Sequence, residues 1–238
     1  MSIVITISRQ LGSQGSYMAT EAAAALDFRY LDREILQSAA AEAGYPDERM
    51  IEALSHQEEV PGLLSRMIEA MGRMASVPVI PSATMREGPM YAELVSAALA
   101  EQLVDERGRE VAADNYRELV RLVILKYADA GNVVIAGRGG QVILRHRRNA
   151  LHVRVYGSST VRARTLMARQ GIPRDEAERE IQRSDRERAR YLQRYFGVAW
   201  DDPQLYHLSI NADDVPVSLG AHLIVEAARW LAKAQSDA

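Results

Sequence analysis

The stretch ITISRQLGSQGSYMA, Ile5 to Ala19, decides how the rest of the chain is read. Its first residues continue a β-branched run from Ile3 and suit a short strand buried in a parallel sheet. A polar turn carrying Gly12 and Gly15 follows, and the alanine-rich segment from Ser16 to Leu26 favours helix. Strand, glycine turn and helix in that order bring several backbone N–H groups and a helix N-terminus together, an arrangement that attracts phosphate without any side chain. The full G-x-x-x-x-G-K-[ST] pattern is not met, and G-x-x-G alone also describes an ordinary strand-to-helix turn, so both readings stand at this point.

Outward from this unit the pattern repeats. Phe28 to Leu31 reads as a brief second strand, Val133 to Ala136 as a third ending in Gly137-Arg138-Gly139-Gly140, Leu151 to Tyr156 as a fourth, and Tyr206 to Ile210 as a last one. Helices are expected over Arg162–Arg169, Arg174–Tyr195 and Val217–Lys233, with Ser158-Ser159-Thr160 as an entry signal for the first. Residues 38–127 read as a mainly helical insertion broken by Gly and Pro. Strands alternating with helices predict one α/β domain over 1–238, a three-layer fold around a parallel five-stranded sheet with a helical insertion.

Composition narrows the function. The 238 residues are 47% hydrophobic and 26% charged, ordinary for a folded soluble chain, and no apolar run approaches the ~18 residues that span a bilayer. The N-terminal SIVITIS lacks a basic leader and a cleavage signal, so the expected location is the cytoplasm. With no cysteine, disulfides and thiolate metal sites are excluded, and the five histidines show no ligand spacing. A net charge of −3 gives no global attraction to nucleic acid. Lys126 and Lys233 are the only lysines; any phosphate chemistry must lean on arginine, whose planar fork suits bidentate contacts.

The stretch ITISRQLGSQGSYMATEAAAALDFRYLD resembles the opening of the bacterial cytidylate kinases, and more closely the divergent cytidylate kinase-like branch of the P-loop nucleoside monophosphate kinases. The resemblance continues in Ile135-Ala-Gly-Arg-Gly-Gly140, Asp185-Arg-Glu-Arg-Ala-Arg190, Tyr195-Phe-Gly197 and Tyr206-His-Leu-Ser-Ile-Asn211, whereas Ala39 to about Val123 matches little of it. It implies a P-loop kinase fold, ATP with Mg2+ as phosphoryl donor and CMP or dCMP as acceptor. The departures are specific. The P-loop lysine position falls on Gly15, the Mg2+-binding hydroxyl position on Tyr17, and Ala136 and Gly139 replace two aspartates of a D-G-R-D stretch. Ser13 or Ser16 would have to offer the hydroxyl instead.

Candidate residues follow from both lines. Arg9, Gly12, Ser13, Gln14, Gly15 and Ser16 would hold the donor nucleotide, with Arg9 alternatively a solvated rim residue. Arg138 stands at the carboxyl end of a parallel strand, where open α/β sheets bind ligands. On the helix from Asp175 to Tyr195, Arg179, Arg183, Arg186, Arg190 and Arg194 form one stripe, while Arg188 falls opposite, among Ala177, Ile181, Tyr191, Leu192 and Tyr195. An arginine on an apolar face needs an anionic partner, either a core carboxylate or a ligand. In the resembled kinases this segment is the lid closing over the transferring phosphate, which implies catalytic roles for Arg138, Arg188 and Arg186, and substrate contacts for Arg190, Asp32 and Arg33. Asp32 serves equally well as a helix N-cap ahead of Ile35. Met67, Met71 and Met74 at helical spacing suit a core or a homodimer contact. The competing function is a catalytically silent nucleotide sensor of the same fold; nucleic-acid binding through the arginine stripe ranks last.

Overall fold

The computed structural model describes residues 2–32, 118 and 120–236. The chain divides into two compact units, residues 1–31 with 127–238, and residues 32–126. The helical insertion expected over 38–127 lies outside the described residues except for its last turns, where residues 120–130 are helical. Met67, Met71, Met74 and Arg33 also lie outside them.

In the first unit, five parallel strands form one sheet in the order β2-β3-β1-β4-β5. They are β1 (Val4–Arg9), β2 (Arg29–Leu31), β3 (Val133–Ala136), β4 (Ala150–Tyr156) and β5 (Leu208–Asn211). The helices are α1 (Gly15–Leu26), α2 (Gly140–Ile143), α3 (Ser159–Gln170), α4 (Arg174–Phe196) and α5 (Val217–Ser236). This is the expected α/β architecture. Period-2 alternation sends Ile3, Ile5 and Ile7 to one sheet face with Leu151, Val153 and Val155, where Met18, Ala19 and Ala22 of α1 and Ile224, Val225 and Ala228 of α5 cover them. Gly220 of α5 packs directly on Met18 of α1: a Cβ there would stand 2.5 Å from Met18 Sδ and make that side chain shift.

On the opposite face polar residues of β1 and β4 lie among apolar ones such as Val4 and Ile135. Thr6 and Ser8 of β1 lie beside His152 and Arg154 of β4, and α2 covers the Thr6 end, with Gly140 against the Thr6 methyl. Thr6, Ser8 and His152 are nonetheless buried. Buried polar groups need partners. Thr6 Oγ1 bonds His152 Nδ1 at 2.8 Å, and Trp200 Nε1 donates to Ser8 Oγ at 2.8 Å. Strand β5 begins at Leu208, two residues later than its composition suggests. Tyr206 closes the 3-10 turn Pro203–Leu205, and its hydroxyl turns onto the Trp200 carbonyl at 2.7 Å.

Candidate functional site

The glycine loop between β1 and α1 is shaped by contacts that exclude side chains. Gly12 has φ +79°, and a Cβ there would stand 2.6 Å from the Arg162 carbonyl oxygen of α3. Gly15 opens α1, and a Cβ there would stand 2.7 Å from Arg9 Cβ and 2.9 Å from Val155 Cβ. No side chain fits at Gly15, so the missing lysine has a structural cause. Gln14 N-caps α1 at φ 60° with no side-chain cap bond. Among the described residues nothing accepts a hydrogen bond from the amides of Gly12, Gln14, Gly15 or Ser16. Uncapped amides at a helix N-terminus form a positive concavity that complements phosphate. The Ser13 hydroxyl is turned inward, donating to the Gln10 carbonyl at 2.8 Å.

Arg9, the last residue of β1, sends its guanidinium across the glycine loop. Its Nε donates to Ser16 Oγ at 3.2 Å, and a Cβ at Gly137 would stand 2.6 Å from its Nη1. One guanidinium thus lies between two glycine turns at the carboxyl ends of adjacent strands, β1 and β3. In the second turn Gly137 and Gly139 have φ +82° and +72°, and Arg138 between them is held at φ 59°. A non-glycine residue in the left-handed region costs about 1–2 kcal/mol, and such strain concentrates where a side chain must be aimed. Gly139 also receives α4: a Cβ there would stand 2.6 Å from Phe196 Cε2 of that helix.

Within α4, Ala177, Ile181 and Leu192 are buried, as the wheel requires. Arg179, Arg186, Arg190 and Arg194 are exposed and Arg183 is half-buried; Arg179 pairs with Asp175 at 2.9 Å in a fully solvated contact. Arg188 differs from them. It is half-buried, donates from Nη1 to Ser184 Oγ, and its guanidinium carbon lies 5.9 Å from the centroid of the Trp200 ring. The structure therefore brings Arg9, the loop residues 12–16 and the 137–139 turn together, with Arg188 at Trp200, and leaves Arg186 and Arg190 on the outer face. Asp32 directly follows β2 in the chain.

Two further arginines belong to this end of the sheet. Arg154 on β4 is surrounded by rings, its guanidinium carbon 5.7 Å from the centroids of both Trp200 and Tyr206 and 5.8 Å from that of Tyr156. Its Nε is buried without a hydrogen-bond acceptor among the described residues. Arg154 and Arg188 share one indole. Burial holds the Tyr206 phenol above its ordinary value, opposed by its hydrogen bond to Ser8 and by the Arg154 charge. Arg162 of α3 is a structural counterpart, buried at 5% exposure. It donates to the carbonyls of Gly157 at 3.0 Å and Leu11 at 3.3 Å, and bidentately to Asp185 of α4 at 3.1 and 2.8 Å. It ties the glycine loop to α4.

Both had a signal in the sequence. Leu151, Val153 and Val155 alternate with His152, Arg154 and Tyr156, which puts Arg154 on the polar face. Arg162 shares an apolar helix face with Ala163 and Leu166, the pattern that singles out Arg188. What the sequence could not supply is the partner, because Leu11 is 151 residues away from Arg162. Among the described residues no group of three or more His, Asp or Glu could hold a metal ion, and no described helix is long and apolar enough to cross a membrane.

A parallel five-stranded sheet with a lysine-free glycine loop at its carboxyl edge, faced by arginines, defines a kinase-like α/β protein. The chain belongs to the cytidylate kinase-like family, whose model matches residues 4–214. An uncharacterized protein from Eubacterium ventriosum shares its fold, with TM-score 0.57 and 16% identity over 95% of this chain and 98% of that one. Shikimate kinase from Bacteroides thetaiotaomicron gives TM-score 0.47 and 16% identity over 98% and 99% of the two chains. Shikimate kinase from Acinetobacter baumannii, in complex with shikimate, gives 0.44 and 10% over 98% and 94%. No curated protein matches the chain in sequence.

Proposed function

We propose that the protein is an ATP-dependent nucleoside monophosphate kinase that transfers a phosphoryl group to CMP or dCMP in the cytoplasm. The observation that carries this reading is the position of Arg9, a guanidinium between two glycine turns, at the place where Gly15 leaves a lysine no room. Phosphoryl transfer needs positioning and cations on the phosphate oxygens far more than covalent chemistry from the protein. The amides of Gly12 to Ser16 cradle the donor phosphates and Arg9 neutralises them. Arg138 and Arg188 face the charge in flight, and Arg154, held among rings, adds a fixed positive potential behind them. Arg186 and Arg190 join when the lid, about 170–203, closes; Asp32 and Arg33 hold the acceptor.

ATP fits this loop because the amides of Gly12, Gln14, Gly15 and Ser16 are uncommitted among the described residues. Mg2+, when bound, would be held chiefly by the polyphosphate oxygens and would supply positive charge there, as suits a cation that keeps several waters and few protein ligands. Ser13 is engaged with Gln10 and Ser16 accepts from Arg9, so neither hydroxyl stands ready as a ligand in this arrangement. That engagement favours one alternative, a silent nucleotide sensor. Coupled turnover against CMP, dCMP and the other common monophosphates, run beside calorimetry with ATP, separates the two. Turnover preferring cytidine nucleotides and falling at least about tenfold in Arg138→Ala supports the kinase. ATP heat without turnover on any monophosphate selects the sensor.

A further inference from the structure

The opposite end of the sheet carries a second basic and aromatic constellation that the kinase reading does not use. A cavity of about 680 Å3 opens at the start of β4, lined by Arg145, His146, Arg148, His207 and Trp230 among others. Ala150, at its wall, pairs with Val4 at the amino ends of the strands, whereas the glycine loop follows Arg9, which pairs with Val155. A strand of this length separates the two ends by about 20 Å. The cavity is a distinct place.

Three features of it ask for a ligand. Trp230 on α5 is 71% exposed, the most exposed of the large apolar side chains among the described residues. Arg147 pairs with Asp129, but Arg145 and Arg148 form no ion pair with any described residue. His207 is exposed at the cavity wall and is held from behind, its ring stacked on buried His152 at 4.9 Å and its Nδ1 accepting from the His152 amide at 3.1 Å. A flat uncovered indole beside unneutralised guanidinium groups complements a ligand that joins an aromatic ring to a phosphate.

We propose that this cavity binds a mononucleotide, with the base stacked on Trp230 and the phosphate held by Arg145 and Arg148. The volume lies within the ~300–1,000 Å3 range of small-ligand sites. The chain's net charge of −3 and the shortness of the basic run, confined to 145–148, argue against an extended polyanion, which needs a continuous basic track. His207 and His146 supply further donors to the same phosphate.

The test uses the full chain and the contrast between its two tryptophans, because Trp200 is buried and Trp230 is not. Acrylamide quenching of Trp230 is followed while AMP, GMP, CMP or inorganic phosphate is added. Saturable protection by at least one mononucleotide is expected, absent with phosphate alone, and weakened about tenfold or more in Arg145→Ala/Arg148→Ala, the loss of a charge-assisted phosphate contact. Arg138→Ala should leave that protection intact, which separates this site from the proposed catalytic one. Unchanged quenching at millimolar nucleotide, or equal affinity in the double variant, would overturn the proposal. So would protection by an oligothymidylate or by anionic phosphatidylglycerol vesicles with none by any mononucleotide.

Discussion

Replacing Arg162 by methionine should cost more than any other single charge removal among the described residues. The guanidinium makes four hydrogen bonds, to the carbonyls of Gly157 and Leu11 and to both oxygens of Asp185. Its side chain is 6% exposed and that of Asp185 is 25% exposed. Methionine fills much of the volume but leaves a carboxylate and two carbonyls without their donors. Breaking one side of such a buried pair costs about 3–5 kcal/mol, most of it the uncompensated charge left behind. The reference is Arg179→Ala, where both side chains of the pair are 69% exposed and about 0–0.5 kcal/mol is at stake. Urea unfolding followed by Trp200 fluorescence reads both; with a slope of about 1–3 kcal/mol/M the Arg162→Met midpoint should fall by more than 1 M. The double variant Arg162→Met/Asp185→Leu should recover part of the loss, since it removes the orphaned charge. If Arg162→Met costs less than about 1 kcal/mol, the tie between the glycine loop and α4 is not what holds the loop in shape.

His152 gives a pH signature. Burial first, and then the neighbouring His207, lowers its pKa to about 4. The unfolded chain, with a pKa near 6.5, takes up the proton earlier, so this contribution is complete above pH 6.5 and is lost as pH falls toward 4, about 3 kcal/mol in all. Stability measured across that window should be flatter in His152→Gln; an unchanged slope would refute the assignment. Two glycine variants separate strain from crowding: Gly171→Ala, with φ +68° and open space, should cost about 1 kcal/mol, while Gly12→Ala, with φ +79° and a carbonyl 2.6 Å from the new carbon, should cost clearly more in the same urea titration. Ser8→Ala removes the acceptor of Trp200 Nε1 and should lower stability by about 1–3 kcal/mol, with a shift in Trp200 emission as the check.

Much of this architecture was readable because its elements are locally determined. Val133 to Ala136 is a β-branched run closed by a glycine turn, and α3 starts where Ser158 accepts from the Val161 amide, as its entry signal implies. Where long-range bonds decide, local reading slipped, as at Tyr206, whose hydroxyl is claimed by Trp200 and Ser8. The candidate site divides in the same way. Arg9 and Arg138 were visible because they follow strands at glycine turns, and Arg188 because it breaks an apolar face. The alternation of β4 put Arg154 on the polar face, but its enclosure by Tyr156, Trp200 and Tyr206 was not visible, since rings brought together from separated positions have no local signature.

The central claim is that backbone amides and guanidinium groups replace the customary lysine in holding a polyphosphate. Calorimetric titration of the full chain with ATP and Mg2+, compared with Arg9→Ala, tests it directly. Saturable binding in the native chain, weakened about tenfold or more in the variant, is the expected result. No heat up to millimolar ATP, or the same affinity without Arg9, would contradict it.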